Sequence, residues 1–484
     1  MNQTDPLPDS NGIDGGEKLN FSTKLAYGAG DLGAAITGSI LIFYLSPFLT
    51  DVAGLRPELA GRTQLVGKVW DAVNDPMVGV LSDRTTSRWG RRYPWMIWGA
   101  VPFGIFFILQ WLIPNFGGGE GRQWGLFWYY TIISILFNTF YTVINLPYTA
   151  LTPELTKDYN ERTSLNSFRF AFSIGGSIFG AIIALIALAK FADKGQAYLF
   201  IGVICAMFAV LPIYFCVWGT RKRVAVVAQK YADAETPVNI PIAEQIKIVF
   251  QNRPFLFVVG IYLCSWLSLQ LTAAIIPYFV TSYMRLGDRD VSQVILAVQG
   301  TALAMLFVWS AVSQRVGKKA TYFMGMTIWI FAQSGLFFLQ PNQVGLMYVL
   351  AILSGVGVST AYLIPWSMLP DVVELDELET GQRREGIFYS FMVFVQKICL
   401  GIAVYLALET LGKVGYIQPK AGIYQEQGEA VLWAIRSFIG PIPTLSLVLG
   451  LILAYFYPIT RELHTELLLR LNERRAQLPE EEKE

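Results

Sequence analysis

The chain has 484 residues, 54% hydrophobic and only 15% charged, a balance too apolar for an ordinary soluble globular protein and natural for one embedded in a bilayer. A formal net charge of +1 gives no support for a nucleic-acid or acidic partner, so charge is informative only through its distribution. Cys205, Cys216, Cys264 and Cys399 stand singly in apolar runs, without zinc spacing or the loop placement of a disulfide framework, and are read as core or lipid-facing. The one histidine, His464, lies in the polar C-terminal tail, so any ion coupling within the membrane rests on carboxylates.

Residues 1–20 are polar and acidic and lack the basic start and short apolar core of a cleaved signal; they are expected to form a disordered cytoplasmic tail. Stretches apolar enough to span a bilayer at about 20 residues each then begin near Lys24, Arg62, Tyr93, Gln123, Thr163 and Gln196, giving a six-helix half over 21–219. A polar cytoplasmic connection over 220–253 leads to a second six-helix half over 254–457. Its stretches begin near Pro254, Val291, Ala320, Val344, Gly386 and Ala430. In the tail 458–484, Leu463, Leu467 and Leu471 fall at helical spacing among Arg461, Arg470, Arg474 and Arg475, the pattern of an amphipathic helix on the cytoplasmic leaflet. The expected fold class is all-α, a polytopic membrane protein with twelve transmembrane helices.

Basic residues set the expected orientation. Arg84, Arg88, Arg91 and Arg92, then Arg221, Lys222 and Arg223, then Arg315, Lys318 and Lys319 all fall on one face, which should be cytoplasmic and carry both termini. The opposite loops hold fewer bases, among them Arg56, Arg122, Arg285, Arg289 and Lys420. The expected location is the plasma membrane (the cell inner membrane). The halves also echo each other. Ser82, Arg84 and Gly90-Arg91-Arg92 are answered by Ser313, Arg315 and Gly317-Lys318-Lys319, and Pro147-Tyr148 with Pro153-Glu154 by Pro365-Trp366 with Pro370-Asp371. Both echoes return after roughly 220 to 230 residues, as duplicated halves flanking a central cavity require.

The third level of signal is a set of charges inside these stretches. Asp71, Asn74 and Asp75 stand at i, i+3 and i+4, on one face of the second helix, an oxygen-only set suited to a hard cation. Pro76 follows and removes a backbone donor beside them. Each intramembrane carboxylate costs roughly 2.5–3.5 kcal/mol on the insertion scale, so the pair needs an ion or a base. Lys68, Arg169 and Lys397 are the candidate bases, and they can alternate with an ion. Gly28, Gly30 and Gly33 spell a dinucleotide-type pattern, but without a strand and βαβ unit they read as helix-packing glycines, like Gly176 and Gly180. Asp31 among them is either a cavity residue or an acid near the cytoplasmic interface. Asp83, Arg84, Arg91 and Arg92 form a charged loop that can clip helix ends as a cytoplasmic gate, or set topology alone. Trp124, Trp128, Tyr129 and Tyr130 read as interface anchors, whereas Trp366 lies in the repeated element and is a candidate cavity residue.

Lys24-Leu25-Ala26-Tyr27-Gly28, Trp70-Asp71-Ala72-Val73-Asn74-Asp75-Pro76, Arg88-Trp89-Gly90, Tyr141-Thr142 and Lys397 together resemble the glycoside-pentoside-hexuronide:cation symporters, the sodium:galactoside (melibiose permease-like) branch of the major facilitators. The resemblance implies a major-facilitator fold and a sodium site at Asp71, Asn74, Asp75 and Thr142, with Arg169 and Lys397 coupling ion to substrate. Where melibiose permease carries two sugar-binding acids and an aromatic, this chain has Ala35, Asn145 and Thr149, so galactoside specificity is not implied. Pro365-Trp366-Ser367-Met368-Leu369-Pro370-Asp371-Val372 is also similar to the sodium-dependent lysophosphatidylcholine symporters. The expectation is a sodium-coupled, or failing that proton-coupled, symporter of an organic solute, with a glycoside or related sugar first and a lysolipid second. An uncoupled facilitator or a membrane sensor ranks below both. No nucleophile–base pair or metal constellation marks an enzyme. No cofactor beyond the coupling ion, no nucleic acid and a monomer in the bilayer are expected.

Overall fold

The computed structural model describes residues 18–85, 87, 89–156, 159–230, 242–380, 384–419, 425–459, 463, 466–467 and 469–470. Most of the N-terminal tail, Arg88, the middle of the 220–253 connection, Lys420, and the tail positions Arg461, His464, Leu471, Arg474 and Arg475 lie outside these residues, as does the side chain of Asp83.

Twelve helical spans follow one another. They are α1 Phe21–Val52, α2 Pro57–Asp83, α3 Tyr93–Leu109, α4 Gly119–Thr149, α5 Tyr159–Lys190 and α6 Lys194–Lys230, then α7 Arg253–Tyr283, α8 Asp288–Val316, α9 Lys318–Phe338, α10 Val344–Thr380, α11 Glu385–Lys413 and α12 Glu429–Phe456. Among the described residues no strand occurs, and nine helices are long and apolar enough to cross a membrane. α3 is apolar but shorter. α2 and α9 are less apolar, and α2 carries Lys68, Asp71 and Asp75 in its middle, which makes it the span with most to explain. It starts at Pro57 rather than near Arg62, since proline at a first helical position presets φ and lacks only an N–H that would be unpaired anyway.

Two spans are broken in ways hydropathy does not signal. α1 stops at Ala29, restarts at Leu32 and ends in a π-helical turn over Phe48–Val52. α12 is interrupted at Gly440, next to Pro441, which has no amide to continue the ladder.

The internal repeat is visible in the geometry. Gly90 and Gly317 both hold positive φ, 89° and 88°, just before α3 and α9, a conformation that strains any residue with a Cβ. Behind them, Arg91 Nη2 and Arg92 Nε reach Glu154 Oε1 at 3.2 and 3.3 Å, while Lys318 Nζ donates to Asp371 Oδ1 at 2.6 Å. The echoed Pro-acid dipeptides are thus the partners of the echoed bases, one clasp in each half.

Core packing shows how the halves sit together. One continuous apolar cluster joins α1–α6 to the parts of α7, α8 and α10–α12 nearest the face opposite the termini, such as Tyr278, Val291, Leu350, Leu408 and Val431. The other ends of the second half, with Phe255, Met326, Met368 and Phe388, close on a core of their own. The halves are therefore fused on the far face and separate toward the face that carries the termini. Polar ties follow the same division: Tyr44 Oη donates to Ser292 Oγ at 2.9 Å, Thr50 Oγ1 and Tyr278 Oη lie 2.8 Å apart, and Gln418 Nε2 donates to Leu55 O at 2.7 Å.

Within the first half, α1 lies against α6 so closely that a Cβ on Gly33 would stand 2.5 Å from the Ala209 carbonyl oxygen. This supports the packing reading of the Gly28-Gly30-Gly33 pattern. Gly33→Ala should lower stability by about 1–3 kcal/mol, because the obstacle is backbone. Gly175→Ala, where a Cβ meets nothing within 4 Å, should leave the thermal unfolding midpoint in detergent unchanged. Equal midpoints for the two variants would contradict the close-packing account.

Candidate functional site

α2 presents Val66, Val69, Val73, Met77 and Val80 outward, all exposed at helical spacing, and turns Asp71 and Asn74 inward, 1% and 4% exposed. The inward face meets α4 and α11. It can do so because a Cβ on Gly67 would collide with Ser134, and one on Gly401 would stand 2.9 Å from the Lys68 Cβ.

In this contact three elements converge on one group of oxygens. Thr142 of α4 donates its hydroxyl to Asp71 Oδ1 at 3.2 Å and Asp75 Oδ1 at 2.9 Å. Lys397 of α11 places its ammonium 3.0 Å from Asp71 Oδ1 and 2.6 Å from Asp75 Oδ2. Lys68, one turn before Asp71, lies 3.5 Å from Asp71 Oδ2 and donates to Asn138 Oδ1 at 3.1 Å. Asn74, on the same face, is buried, and its Nδ2 has no hydrogen-bond partner. Pro76 gives the Ala72 carbonyl no i+4 donor, leaving a further oxygen near the same level.

The arrangement is electrically complete: two carboxylates face two ammonium groups, with Asp71 wholly buried and Asp75, Lys68 and Lys397 partly so. The donors are carboxylate, hydroxyl and amide oxygens, a hard set for a small cation, and among the described residues no cluster of three or more His, Cys, Asp or Glu occurs.

Arg169 stands elsewhere. Its Nε lies 3.3 Å from Asp31 Oδ1, its guanidinium is 5.9 Å from the Tyr148 ring centroid, and Tyr148 Oη donates to Tyr27 O at 2.8 Å. Asp31 is 6% exposed, buried beside an arginine of α5 rather than displayed at an interface. There are thus two separate charge groups, one on α1 and α5 within the first half, the other on α2 and α4 of the first half and α11 of the second.

Of the other cavity candidates, Ala35 lies near Gly176 and is partly exposed, as is Asn145. Thr149 turns its hydroxyl back to Leu146 O at 2.9 Å. Trp366 packs edge-on to Tyr262 with centroids 5.8 Å apart and tilted against Tyr389 at 6.0 Å, in the second half. In the charged loop, Arg91 and Arg92 hold Glu154, Arg92 also donates to Ser82 Oγ at 2.9 Å, and Arg84 is exposed.

Asn138, which links Lys68 to α4, was absent from the sequence reading, and Glu154, read there only as part of the repeated Pro-acid element, is the acid of the first clasp. The signal for Asn138 was the polar series Thr131, Ser134, Asn138 and Thr142 along one face of α4, whose members are buried.

Comparison with known proteins accords with this architecture. The family described as MFS/sugar transport protein matches residues 26–461. The chain belongs to that family. An uncharacterized symporter of Synechocystis sp. is 47% identical, covering 95% of this chain and 98% of its own length. The sodium-dependent lysophosphatidylcholine symporter 1 of Mus musculus is 27% identical over 92% of this chain and 87% of its own. The isoprimeverose transporter of Lactiplantibacillus pentosus is 28% identical over 94% and 92%. In fold, the chain superposes on a crystal structure of a D-xylose-proton symporter with a TM-score of 0.62, at 16% identity, over 90% of this chain and 97% of that one. The chain is an integral membrane transporter of the major-facilitator fold.

The charge layer makes a stability prediction. In sodium-free buffer, Lys397→Met should destabilise the protein by about 3–5 kcal/mol, because it strands buried carboxylates without their partner. Adding Asp75→Asn should recover part of the loss. Thermal unfolding reads both, and equal losses for the single and double variants would show that the ion pairs do not hold the layer.

Proposed function

We propose that the chain is a sodium-coupled symporter of a neutral organic solute, with Asp71, Asn74, Asp75 and Thr142 as the cation site. The observation that carries this reading is Lys397 itself: a base from one half sits between two carboxylates of the other, where a coupling ion would bind. With Lys68 and Lys397 balancing Asp71 and Asp75, an added cation leaves the layer with one positive charge too many. Sodium and the Lys397 ammonium therefore compete for the same oxygens. Sodium entry releases α11 from α2, and ion loss lets Lys397 return, so occupancy is tied to the relative position of the halves. With the termini cytoplasmic, closure on the far face corresponds to an inward-facing, ion-free state. Arg91 and Arg92 on Glu154, with Lys318 on Asp371, are then clasps within each half at the cytoplasmic face, which leave the halves free to part there.

For the cargo, a glycoside or related sugar is the first reading. The family is described by sugar transport, and a relative of similar identity is named as an isoprimeverose transporter. A lysolipid is the second, favoured by the α10 segment around Trp366 and by the relatives named for lysophosphatidylcholine. The Asp31–Arg169 pair is the polar contact the first half offers to either. We place the protein in the plasma membrane as a monomer, with halves at 21–219 and 254–457.

Solute counterflow into proteoliposomes tests the coupling. An inward sodium gradient should accelerate uptake, and Asp71→Asn should abolish the stimulation while leaving the protein folded. Uptake indifferent both to sodium and to Asp71→Asn would leave an uncoupled facilitator. Stimulation by an inward proton gradient alone would replace sodium with the proton.

A further inference from the structure

One side of α7 is bonded to α9 and α12 at every turn. Ser265 Oγ meets Tyr322 Oη at 2.6 Å, Ser268 Oγ donates to Pro443 O at 2.8 Å, Ser446 Oγ donates to Cys264 O at 2.9 Å, and the Thr272 hydroxyl is bonded to Gln333 at 2.7 Å. Trp266 and Gln270, one turn apart, project about 140–180° from that side. Both are almost wholly buried, 7% and 2% exposed, yet Trp266 Nε1 and Gln270 Oε1 have no hydrogen-bond partner. A buried donor and a buried acceptor left open are each costly, and here they belong to two neighbours on one face of the helix. Rings flank Trp266. Trp266 stacks on Tyr262 with centroids 5.5 Å apart and an interplanar angle of 24°, and the exposed Tyr362 of α10 meets it edge-on at 5.7 Å and 79°.

We infer that Trp266 and Gln270 form a subsite of the second half that binds one hydroxyl-bearing sugar ring of the cargo, an inference resting on the symporter reading above. The chemistry selects the ligand. A hydroxyl accepts from the indole N–H and donates to the amide oxygen at once, which satisfies both open groups. The apolar face of a pyranose lies against the aromatic rings. A quaternary ammonium headgroup uses the rings but has neither a proton to give nor a lone pair to offer, and it leaves both polar atoms unpaired. A phosphodiester or an ionised carboxylate lacks a proton for Gln270 Oε1. The two walls then divide the work, with Asp31 and Arg169 on the first half offering charge and Trp266 and Gln270 on the second reading a neutral hydroxyl.

The test uses purified full-length protein in sodium buffer. Thermal shift follows titration with methyl glycosides of glucose, galactose and xylose in both anomeric forms, and separately with choline and lysophosphatidylcholine. At least one glycoside should stabilise the protein. Trp266→Phe, which keeps a ring and removes the N–H, and Gln270→Leu should each weaken that glycoside about tenfold, the equivalent of one unsatisfied hydrogen bond. Trp433→Phe, at a lipid-exposed position, should not change it. The sodium midpoint should stay where it is in all three variants, which also shows that they fold. Glycoside affinity unchanged in Trp266→Phe or in Gln270→Leu overturns the proposal, and so does stabilisation by choline or lysophosphatidylcholine alone, or by none of the ligands. A glycoside that binds with these sensitivities but is indifferent to sodium overturns the coupling instead, and leaves the subsite standing.

Discussion

A lysine ammonium reaching from one half of the protein into a pair of carboxylates of the other is the contact on which this architecture turns. Lys397 lies 3.0 Å from Asp71 and 2.6 Å from Asp75 in a layer where Asp71 is 1% exposed. Carboxylates so placed are tolerated only with a neutralising partner, and a partner borrowed from the opposite half makes tolerance depend on how the halves are arranged. A site built wholly within one half could bind an ion without moving anything. In the proposed site, exchange of the positive charge changes the contact between α2 and α11.

The surrounding packing is consistent with that dependence. The far-face core runs through both halves, and hydroxyl ties such as Tyr44 to Ser292 and Thr50 to Tyr278 cross between them. Toward the termini the second half has a core of its own. The charge layer therefore lies at the boundary between a fused and a divided region, where a local change of charge has leverage on the whole. Arg62 of α2 pairs with Glu409 of α11 at 3.1 Å, so this helix pair is also bridged nearer the far face.

Much of this was legible in the sequence, for identifiable reasons. Span positions follow from apolar length, and the starts expected near Tyr93, Val344 and Gly386 fall within a residue of the observed helices. Asp71, Asn74 and Asp75 were legible as one face because helical periodicity is local. Thr142 came from resemblance alone and Lys397 was one of three candidate bases, since nothing local in the chain says that residues 326 and 71 positions from Asp71 approach it. The partner of Arg169 was not legible at all: three buried acids on two helices were available, and only tertiary packing selects Asp31. Asn138 was hidden for a different reason. It stands in the polar series along one face of α4, but nothing in that series names its partner, which appears only when Lys68 is seen donating to it. The breaks at Gly30 and Gly440 escaped because hydropathy averages over such points.

Competition between the Lys397 ammonium and sodium is the central claim, and a direct sodium titration of purified wild-type and Lys397→Gln protein tests it most directly. Removing the competitor while keeping both carboxylates should tighten sodium binding by about tenfold or more, a difference of at least 1.4 kcal/mol. Sodium affinity that is unchanged or weaker in Lys397→Gln would contradict the account, for it would mean that ion and lysine do not occupy the same place.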